Sequence, residues 1–424
     1  MRGRAITVVT ALLVAALAVP ARATDIATIP VQETGVVDWV QDGDTFRFLA
    51  DGATTKASVR MLGMNAPEVA GFKNSHFPFD FCGGLAAEAR LKELLPIGTR
   101  VQLRSLHAES QNRGRILRSV FAYDDATGQY DIDVVAQMLR EGWGMWFTQA
   151  GEASLSADYR VLVDSAQSAH VGIWNPSLCG PIEQPAANVT LTVAWDAPGN
   201  DATNLNGEYV IVRNTGTAPV DLTGWLLRDS SLEAWFTFPA GSVLSPDDYR
   251  VVHVGSGQNG VPAHDLYMGA TAPIFANVSY APYVGDGAYL LDRATAIRAW
   301  TEYPCSSDCT DPLQGKVRIA SVQPRAGSGS GVQRANGEYI ALRNVSKAPV
   351  RMDGTFLRRK VSTYTLLPNT IIKPGRTLTV RMGRGRPTET TQYWGLSGPL
   401  LNDVKDAVEL RSAKDVLLSA KRWG

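Results

Sequence analysis

A long internal repeat constrains the fold of this 424-residue chain more than any other feature. Residues 206–229 and 336–359 are identical at 12 of 24 aligned positions, and the two copies start 130 residues apart. A repeat unit this long is a duplicated domain, because the units of solenoid proteins are only about 20–50 residues long. Short apolar runs between Gly, Pro, Asp and Asn turns surround both copies, and this pattern predicts two all-β domains.

The repeat and the chain length together predict three domains, since one domain rarely exceeds about 250 residues. We place an N-terminal domain at residues 24–182 and the two repeated domains at residues 186–310 and 315–424. The segment Gln184-Pro185-Ala186-Ala187 is the predicted linker between the first two.

Residues 1–23 have the pattern of a secretory signal peptide. Arg2 and Arg4 precede the apolar run Ala5–Val19, and Ala21-Arg22-Ala23 is a typical cleavage motif. A transmembrane anchor is the alternative, but the run is shorter than the ~20 residues that a span needs. The sequence therefore predicts a secreted protein, either released or held at the cell surface, with no transmembrane span after signal cleavage.

The four cysteines are Cys82, Cys179, Cys305 and Cys309. Export permits disulfides, and four cysteines allow three pairings. Cys305 and Cys309 are close enough in sequence to close a small loop, which favours Cys82–Cys179 as the second bond. Zinc is the alternative, but the spacing lacks a second CxxC pair or paired histidines.

Alternating apolar residues and turn signals predict a sheet with helices in the N-terminal domain. The predicted strands are at about 35–41, 44–50, 56–63, 99–106 and 115–123. One helix follows Gly83 and ends near Leu95, a second carries Val134–Leu139, and a third carries Tyr159–Ala166. Five strands with three helices predict an OB-fold barrel of the α+β type, whose surface suits nucleic-acid strands.

Three polar motifs interrupt these strands, namely Asp42-Gly43-Asp44-Thr45, then Arg60 with Asn65-Ala66-Pro67-Glu68, then Arg113-Gly114-Arg115. A carboxylate pair, an amide and guanidinium groups near one sheet edge suit the handling of a phosphate with a hard metal ion. The alternative for Asp44 is a turn-capping carboxylate. The alternative for each arginine is a solvated strand residue or an ion-pair partner.

In this order, the motifs resemble the staphylococcal-nuclease (thermonuclease) family over roughly residues 34–175. The resemblance implies a calcium-dependent endonuclease that hydrolyses DNA and RNA. It implies Ca²⁺ ligands at Asp44, Asn65 and the Ala66 carbonyl, and it implies catalytic roles for Arg60, Glu68 and Arg115. Glu68 corresponds to a general base acting through water, and the arginines correspond to phosphate-binding groups.

Two positions depart from the family pattern. Asn65 stands where the family has an aspartate ligand, which keeps an oxygen but removes one negative charge, so we expect weaker calcium binding. Arg113 stands where the family has a tyrosine, which removes an aromatic contact and adds positive charge.

The repeated pattern Gly-Glu-Tyr, Arg-Asn, Ala-Pro-Val resembles the lamin-tail domain, an immunoglobulin-like β-sandwich. The expected fold is therefore multidomain and mainly β, with an OB-fold barrel followed by two immunoglobulin-like sandwiches. Similar modules accompany secreted bacterial nucleases, which agrees with the predicted signal peptide.

The net charge of zero hides a strong asymmetry along the chain. Residues 24–180 carry 13 Lys and Arg against 19 Asp and Glu, and residues 186–310 carry 5 against 13. Residues 315–424 carry 20 against 7, a net charge of +13. This asymmetry predicts that the last domain binds a polyanion, either nucleic acid or an anionic cell-wall polymer. A basic surface that serves only solubility is the alternative.

Two other functions remain open at this point. The chain could be a non-catalytic extracellular protein that binds nucleic acid or cell wall through a degenerate nuclease barrel, which Asn65 and the acidic N-terminal domain favour. The sandwiches could also be mere spacers. No Gly-x-Ser-x-Gly elbow and no phosphate-binding P-loop occurs in the sequence, so the sequence offers no signature for those two chemistries.

Overall fold

The computed structural model describes most of the chain after the predicted signal peptide. The described residues are 24–71, 77–149, 151–182, 184, 188–232, 234–306, 309–325, 329 and 331–424. The predicted signal peptide at residues 1–23 and linker residues 185–187 lie outside them. Within the described residues the fold is mainly β, with a strand-and-helix domain followed by two β-sandwiches, as the sequence predicts.

The N-terminal domain contains nine strands and three α-helices among the described residues. The strands are β1 (Val31–Val40), β2 (Thr45–Ala50), β3 (Ala57–Met61), β4 (Met64–Asn65), β5 (Arg100–Arg104), β6 (Gln111–Asn112), β7 (Arg115–Asp124), β8 (Gln129–Asp133) and β9 (Met145–Trp146). The helices are α1 (Gly84–Leu94), α2 (Val134–Arg140) and α3 (Ser156–Ala169). The five predicted strands correspond to β1, β2, β3, β5 and β7, and the three predicted helices are confirmed.

The main sheet has the order β3-β2-β1-β5-β7-β6, and β3 also pairs in parallel with β7. The parallel pairing brings the strand that carries Arg60 beside the strand that begins at Arg115, since Arg60 aligns with Leu117. The short strands β4, β6 and β9 could not be predicted from the sequence, because two residues are too few to show a period. Strand β8 was also missed.

The first sandwich is formed by two four-stranded sheets, β10-β11-β16-β17 and β14-β13-β20-β21. Its strands are β10 (Val189–Ala194), β11 (Tyr209–Asn214), β12 (Val220–Asp221), β13 (Leu226–Asp229), β14 (Trp235–Thr237), β15 (Val243–Leu244), β16 (Tyr249–His253), β17 (Asp265–Tyr267), β18 (Ser279–Tyr280), β19 (Tyr283–Val284), β20 (Asp286–Leu291) and β21 (Ile297–Tyr303).

The second sandwich repeats this arrangement as β22-β23-β28-β29 and β26-β25-β30-β31. Its strands are β22 (Val317–Gln323), β23 (Tyr339–Asn344), β24 (Val350–Arg351), β25 (Phe356–Arg359), β26 (Ser362–Thr365), β27 (Ile371–Ile372), β28 (Thr377–Arg381), β29 (Thr391–Tyr393), β30 (Asp406–Arg411) and β31 (Leu417–Trp423), with α4 at Val332–Gly337. The identical strand order confirms the duplication.

The repeated polar residues hold loops together inside each sandwich. Asn214 Nδ2 donates to the carbonyls of Ala218 (2.8 Å) and Leu244 (3.0 Å), and Asn344 makes the two equivalent bonds in the second copy. The buried repeat glutamates, Glu208 and Glu338, likewise each accept hydrogen bonds from two successive backbone N–H groups. Buried polar groups of this kind are costly unless they are bonded, so the repeat identity reflects a structural role.

Both predicted disulfides are present. Cys82 bonds to Cys179, and Cys305 bonds to Cys309. The first bond joins the segment before α1 to the end of the N-terminal domain, and Cys82 N also donates to Thr295 Oγ1 of the first sandwich at 2.7 Å. Two disulfides are compatible with an oxidising extracellular compartment.

The first sandwich packs tightly against the N-terminal domain. Trp174 contacts Trp300 and Tyr289 with ring centroids 5.2 and 6.2 Å apart. Arg160 of α3 forms a buried ion pair with Glu302 of β21. The core of the N-terminal domain therefore continues into the sandwich sheet that contains β20 and β21, and this contact fixes the sandwich beside the site described below.

Candidate active site

Gly43 allows the Asp-Gly-Asp turn to lie against the second motif. A Cβ atom at Gly43 would lie 2.7 Å from the Cβ atoms of both Ala66 and Ala87, which is too close for any side chain. The backbone carbonyl of Asp44 accepts from Met61 N at 2.9 Å, and Thr45 is paired with Arg60 across β2 and β3. The turn and the Arg60 strand are therefore joined by the backbone.

The Asp44 carboxylate is buried and its oxygens are engaged. Oδ2 accepts from Ala66 N at 2.8 Å, and Oδ1 accepts from Thr45 Oγ1 at 2.9 Å. Arg60 Nη1 forms an ion pair with Oδ1, with only 14% of the Arg60 side chain and 3% of the Asp44 side chain exposed. These contacts show that Asp44 is more than a cap of its own turn.

Asn65 connects Arg60 to the first sandwich. Its Oδ1 accepts from Arg60 Nη2 at 2.7 Å, and its Nδ2 donates to the carbonyl of Ser230 at 2.6 Å. Arg60 therefore lies between Asp44 and Asn65, with a different nitrogen directed to each.

Arg115 approaches the same place from the β6–β7 hairpin. Arg113 and Gly114 form the turn with φ values of +50° and +77°, and Arg115 Nη1 donates to Thr45 Oγ1 at 3.3 Å. Its buried Nε has no hydrogen-bond partner within the described part of the chain. Burial and the nearby Arg60 lower the pKa of Arg115.

Arg118, three residues further along β7, has a structural role instead. It is 1% exposed and donates Nε and Nη2 to the two oxygens of Glu33, each at 2.8 Å. It also donates to three backbone carbonyls, those of Leu117 and Ala108 at 2.8 Å and that of Ser110 at 3.3 Å. The contacts thus distinguish the two arginines. Arg118 is held by Glu33, whereas Arg115 lies at the site.

All six predicted site residues line one polar pocket of about 70 Å³. They are Asp44, Arg60, Asn65, Ala66, Glu68 and Arg115. This volume is several times the minimum that holds one water, so the pocket has room for a phosphate group. The half-buried Glu68 is placed there by Gly84, since a Cβ at Gly84 would lie 2.6 Å from the Glu68 carbonyl oxygen.

The pocket also contains residues that sequence reasoning did not assign. Asp42 lines it, and burial raises the pKa of Asp42 to about 7, with the nearby Asp44 carboxylate adding to the rise. The Asp-Gly-Asp motif could have indicated Asp42. Phe147, Gln149 and Ser231 also line the pocket, and nothing in the sequence pattern pointed to them.

The arrangement of these ligands does not fit a calcium ion. Arg60 already engages the oxygens of Asp44 and Asn65 that would have to turn toward the ion. Calcium prefers six to eight oxygen ligands, usually with several carboxylates. Among the residues that the structure describes, no three His, Cys, Asp or Glu side chains are grouped closely enough to hold a metal. Calcium binding would therefore require Arg60 to move.

Comparison with protein families agrees with this division of the chain. Residues 183–304 and 310–424 match the family described as Lamin Tail Domain, which is more than half of the chain. The chain belongs to the lamin tail domain family. Residues 58–176 match the family described as Staphylococcal nuclease homologue. Asp42 and Asp44 lie before the matched residues in the sequence. The fold brings both side chains into the pocket that the matched residues Arg60, Glu68 and Arg115 also line.

A search of curated proteins found none that matches this lamin tail protein. Across the described residues, the structure contains no helix that is long and apolar enough to cross a membrane. The nuclease-homologue domain indicates nuclease or nucleic-acid-binding function at the family level.

Proposed function

We propose that this lamin tail protein is a secreted nuclease that hydrolyses phosphodiester bonds of DNA and RNA in the pocket between Asp44 and Arg115. One observation carries the proposal: three guanidinium groups (Arg60, Arg113 and Arg115) and three carboxylates, from distant parts of the chain, line a single pocket. The unpartnered Nε of Arg115 supports it, because a buried donor without an acceptor is costly and a phosphate oxygen would satisfy it.

In this proposal the arginines bind the phosphate and stabilise its charge. A guanidinium group can bind two phosphate oxygens through its planar fork. Arg60 and Arg115 hold the scissile phosphate, and they stabilise the negative charge that develops on its oxygens in the transition state. Phosphate then competes with Asp44 and Asn65 for the nitrogens of Arg60.

Glu68 has the role of positioning and deprotonating the attacking water in this proposal. General base catalysis contributes about 10²–10⁴-fold to rate, so Glu68→Gln should lower kcat about 100-fold or more. Binding of a single-stranded oligonucleotide should stay within about twofold, because the arginines remain. Release of acid-soluble nucleotides and fluorescence anisotropy measure the two quantities.

The matched control is Glu93→Gln, which makes the same change on α1 at a side chain that is 67% exposed, and which should leave both quantities unchanged. If folded wild-type protein binds the oligonucleotide but releases no nucleotides, the second candidate function holds. That function is a non-catalytic extracellular nucleic-acid- or wall-binding protein, and the engaged oxygens of Asp44 and Asn65 favour it.

Calcium remains a prediction of the family resemblance. We expect weak binding, with a dissociation constant of about 10⁻³ M, because Arg60 has to withdraw and Asn65 supplies no negative charge. Hydrolysis should fall less than about tenfold in EDTA, since oriented guanidinium groups supply most of the stabilisation. Initial rates in EDTA and along a calcium titration test this. A loss of a thousandfold in EDTA would contradict it.

The second lamin tail domain is proposed to hold polyanion, either nucleic acid or an anionic cell-wall polymer, near the pocket. Part of its positive charge is already used, since Arg351, Arg358 and Arg359 form ion pairs with aspartates. Lys360, Arg376 and Arg386 are among the exposed basic side chains of this domain, which a polyanion can reach.

Reversing these three exposed charges to glutamate should weaken the salt dependence of DNA binding. Each lost phosphate contact lowers the slope of log K against log salt by about 0.7–0.9. Lys56→Glu with Lys92→Glu, on exposed side chains of the nuclease-homologue domain, is the control. An unchanged slope in the triple variant would contradict polyanion binding through these three side chains. Retention on isolated anionic wall polymer, measured in parallel, separates the two polyanions.

A further inference from the structure

A loop of the first lamin tail domain reaches into the pocket of the nuclease-homologue domain. This docking loop, residues 229–232, begins at the last residue of β13 and leads toward β14. Ser231 lines the pocket, and the carbonyl of Ser230 accepts from Asn65 Nδ2 at 2.6 Å. Ser230 and Asn65 are each 1% exposed, so the contact is shielded from water.

The shape of the docking loop is fixed from within its own domain. Asp286 Oδ1 accepts from both the backbone N (3.3 Å) and the hydroxyl of Ser230. Asp229 accepts from Leu232 N at 2.8 Å and from the hydroxyl of Ser231. Leu232 is held at a φ of +60°, which costs free energy for a residue other than glycine. These bonds hold the Ser230 carbonyl in one direction.

The Ser230 carbonyl accepts a second hydrogen bond from within its own domain. The fully buried Arg228 donates Nη2 to it at 3.1 Å and Nε to the carbonyl of Asp229 at 2.9 Å. A carbonyl oxygen has two lone pairs, so Arg228 and Asn65 together satisfy it. The side chain at position 65, which meets this oxygen from the other domain, must therefore be a hydrogen-bond donor.

We propose that the docking loop positions Arg60 through Asn65, so that the phosphate pocket is assembled from two domains. An amide meets both requirements at position 65, since its oxygen accepts from Arg60 and its nitrogen donates to Ser230. A carboxylate would supply the acceptor but not the donor, and would place an oxygen against the Ser230 carbonyl. Asn65 is therefore a positioning residue that links the lamin tail domain to the nuclease-homologue domain. The part of its test that measures hydrolysis rests on the proposed function.

The decisive variant is Asn65→Asp in the full-length protein, studied in EDTA at pH 8. It keeps the acceptor for Arg60 and removes the donor to Ser230, so it isolates the contact between domains. We expect amide hydrogens of residues 229–232 to exchange about tenfold faster, because the loop loses a buried hydrogen bond to the nuclease-homologue domain. Hydrolysis should fall about tenfold, because the side chain at position 65 is no longer fixed by Ser230 and therefore no longer fixes the position of Arg60.

Thr148→Val is the matched control. Thr148 Oγ1 donates to the carbonyl of Gly285 at 2.7 Å, so this variant also removes a side-chain bond to a backbone carbonyl of the first lamin tail domain. None of its bonds involves Arg60 or Asn65. Exchange of residues 229–232 and hydrolysis should both stay within about twofold of wild type.

Ser230→Gly tests the same contact from the other domain, because it removes the hydroxyl bond to Asp286 and loosens the loop. It should lower hydrolysis in the same direction, and adding Asn65→Asp should cause no further loss, since changes at one contact are not additive. This variant also carries the test if Asn65→Asp does not fold.

Three outcomes are informative. Unchanged exchange of residues 229–232 in Asn65→Asp, or unchanged hydrolysis in Ser230→Gly, would overturn the two-domain pocket. Faster loop exchange in Asn65→Asp, with no hydrolysis by the wild-type protein, would support the contact while the proposed nuclease function fails. Parallel losses of hydrolysis that are not additive would support both.

Discussion

Arg60→Gln should lower kcat for phosphodiester hydrolysis about 10²–10³-fold, which corresponds to the removal of one oriented donor from a transition state. Arg60 is 14% exposed and held between Asp44 and Asn65, so its guanidinium group already lines the pocket that the phosphate enters. The KM should change less than kcat, because the interaction strengthens as charge develops. Steady-state kinetics on a defined oligonucleotide measure both constants.

Two further variants decide whether the guanidinium geometry matters. Arg60→Lys keeps the charge but loses the planar fork, so it should recover only part of the lost rate. Arg47→Gln removes an arginine on the neighbouring strand β2 that is 49% exposed and paired with Asp38, and it should leave kcat unchanged. An Arg60→Gln enzyme with a raised KM and an unchanged kcat would show that Arg60 only binds substrate.

Arg160→Met should destabilise the protein by about 3–5 kcal/mol, the cost of leaving a buried charge without its partner. Glu302 is 2% exposed and would keep only neutral donors, Tyr289 at 2.6 Å and Gln167 at 3.1 Å. The pair joins α3 to β21, so its loss should weaken the contact between the first lamin tail domain and the nuclease-homologue domain. Urea denaturation followed by tryptophan fluorescence measures the change.

The control for this prediction is Arg100→Met. Arg100 pairs with Asp51 at 2.9 Å, but both side chains are about half exposed, and exposed pairs contribute only about 0–1 kcal/mol. A double variant with Met at position 160 and Leu at position 302 should recover much of the lost stability, because an apolar pair can replace a buried ion pair. Failure of this rescue would indicate that packing, not charge, dominates the contact.

The sequence predicted the elements of the nuclease-homologue domain where burial is periodic. Helix α2 is an example, since Val134, Val135, Met138 and Leu139 share one apolar face and all four are buried. The two-residue strands β4 and β9 could not be predicted, because they exist only through pairing with each other. Their pairing places Asn65 opposite Met145, which no local pattern encodes.

The candidate site was predictable in part. Each of the three motifs carries charged side chains next to a strand end, and the family order of the motifs indicated that they meet. The family motif assigned the site arginine to Arg115, but the residue type alone does not distinguish it from Arg118, since both lie on β7. The fold separates them, because Glu33 of β1 lies within reach of Arg118 alone.

The sequence by itself determined the duplicated domain, favoured the two disulfides that the structure contains and identified six of the residues that line the pocket. These features rest on side-chain type and local spacing, which a sequence displays directly. Only the tertiary structure decided that Ser230, 165 residues away from Asn65, completes the surroundings of Arg60. The reason is physical: the acceptor is a backbone carbonyl, which every residue possesses, so its position depends on the packing of two domains rather than on residue identity.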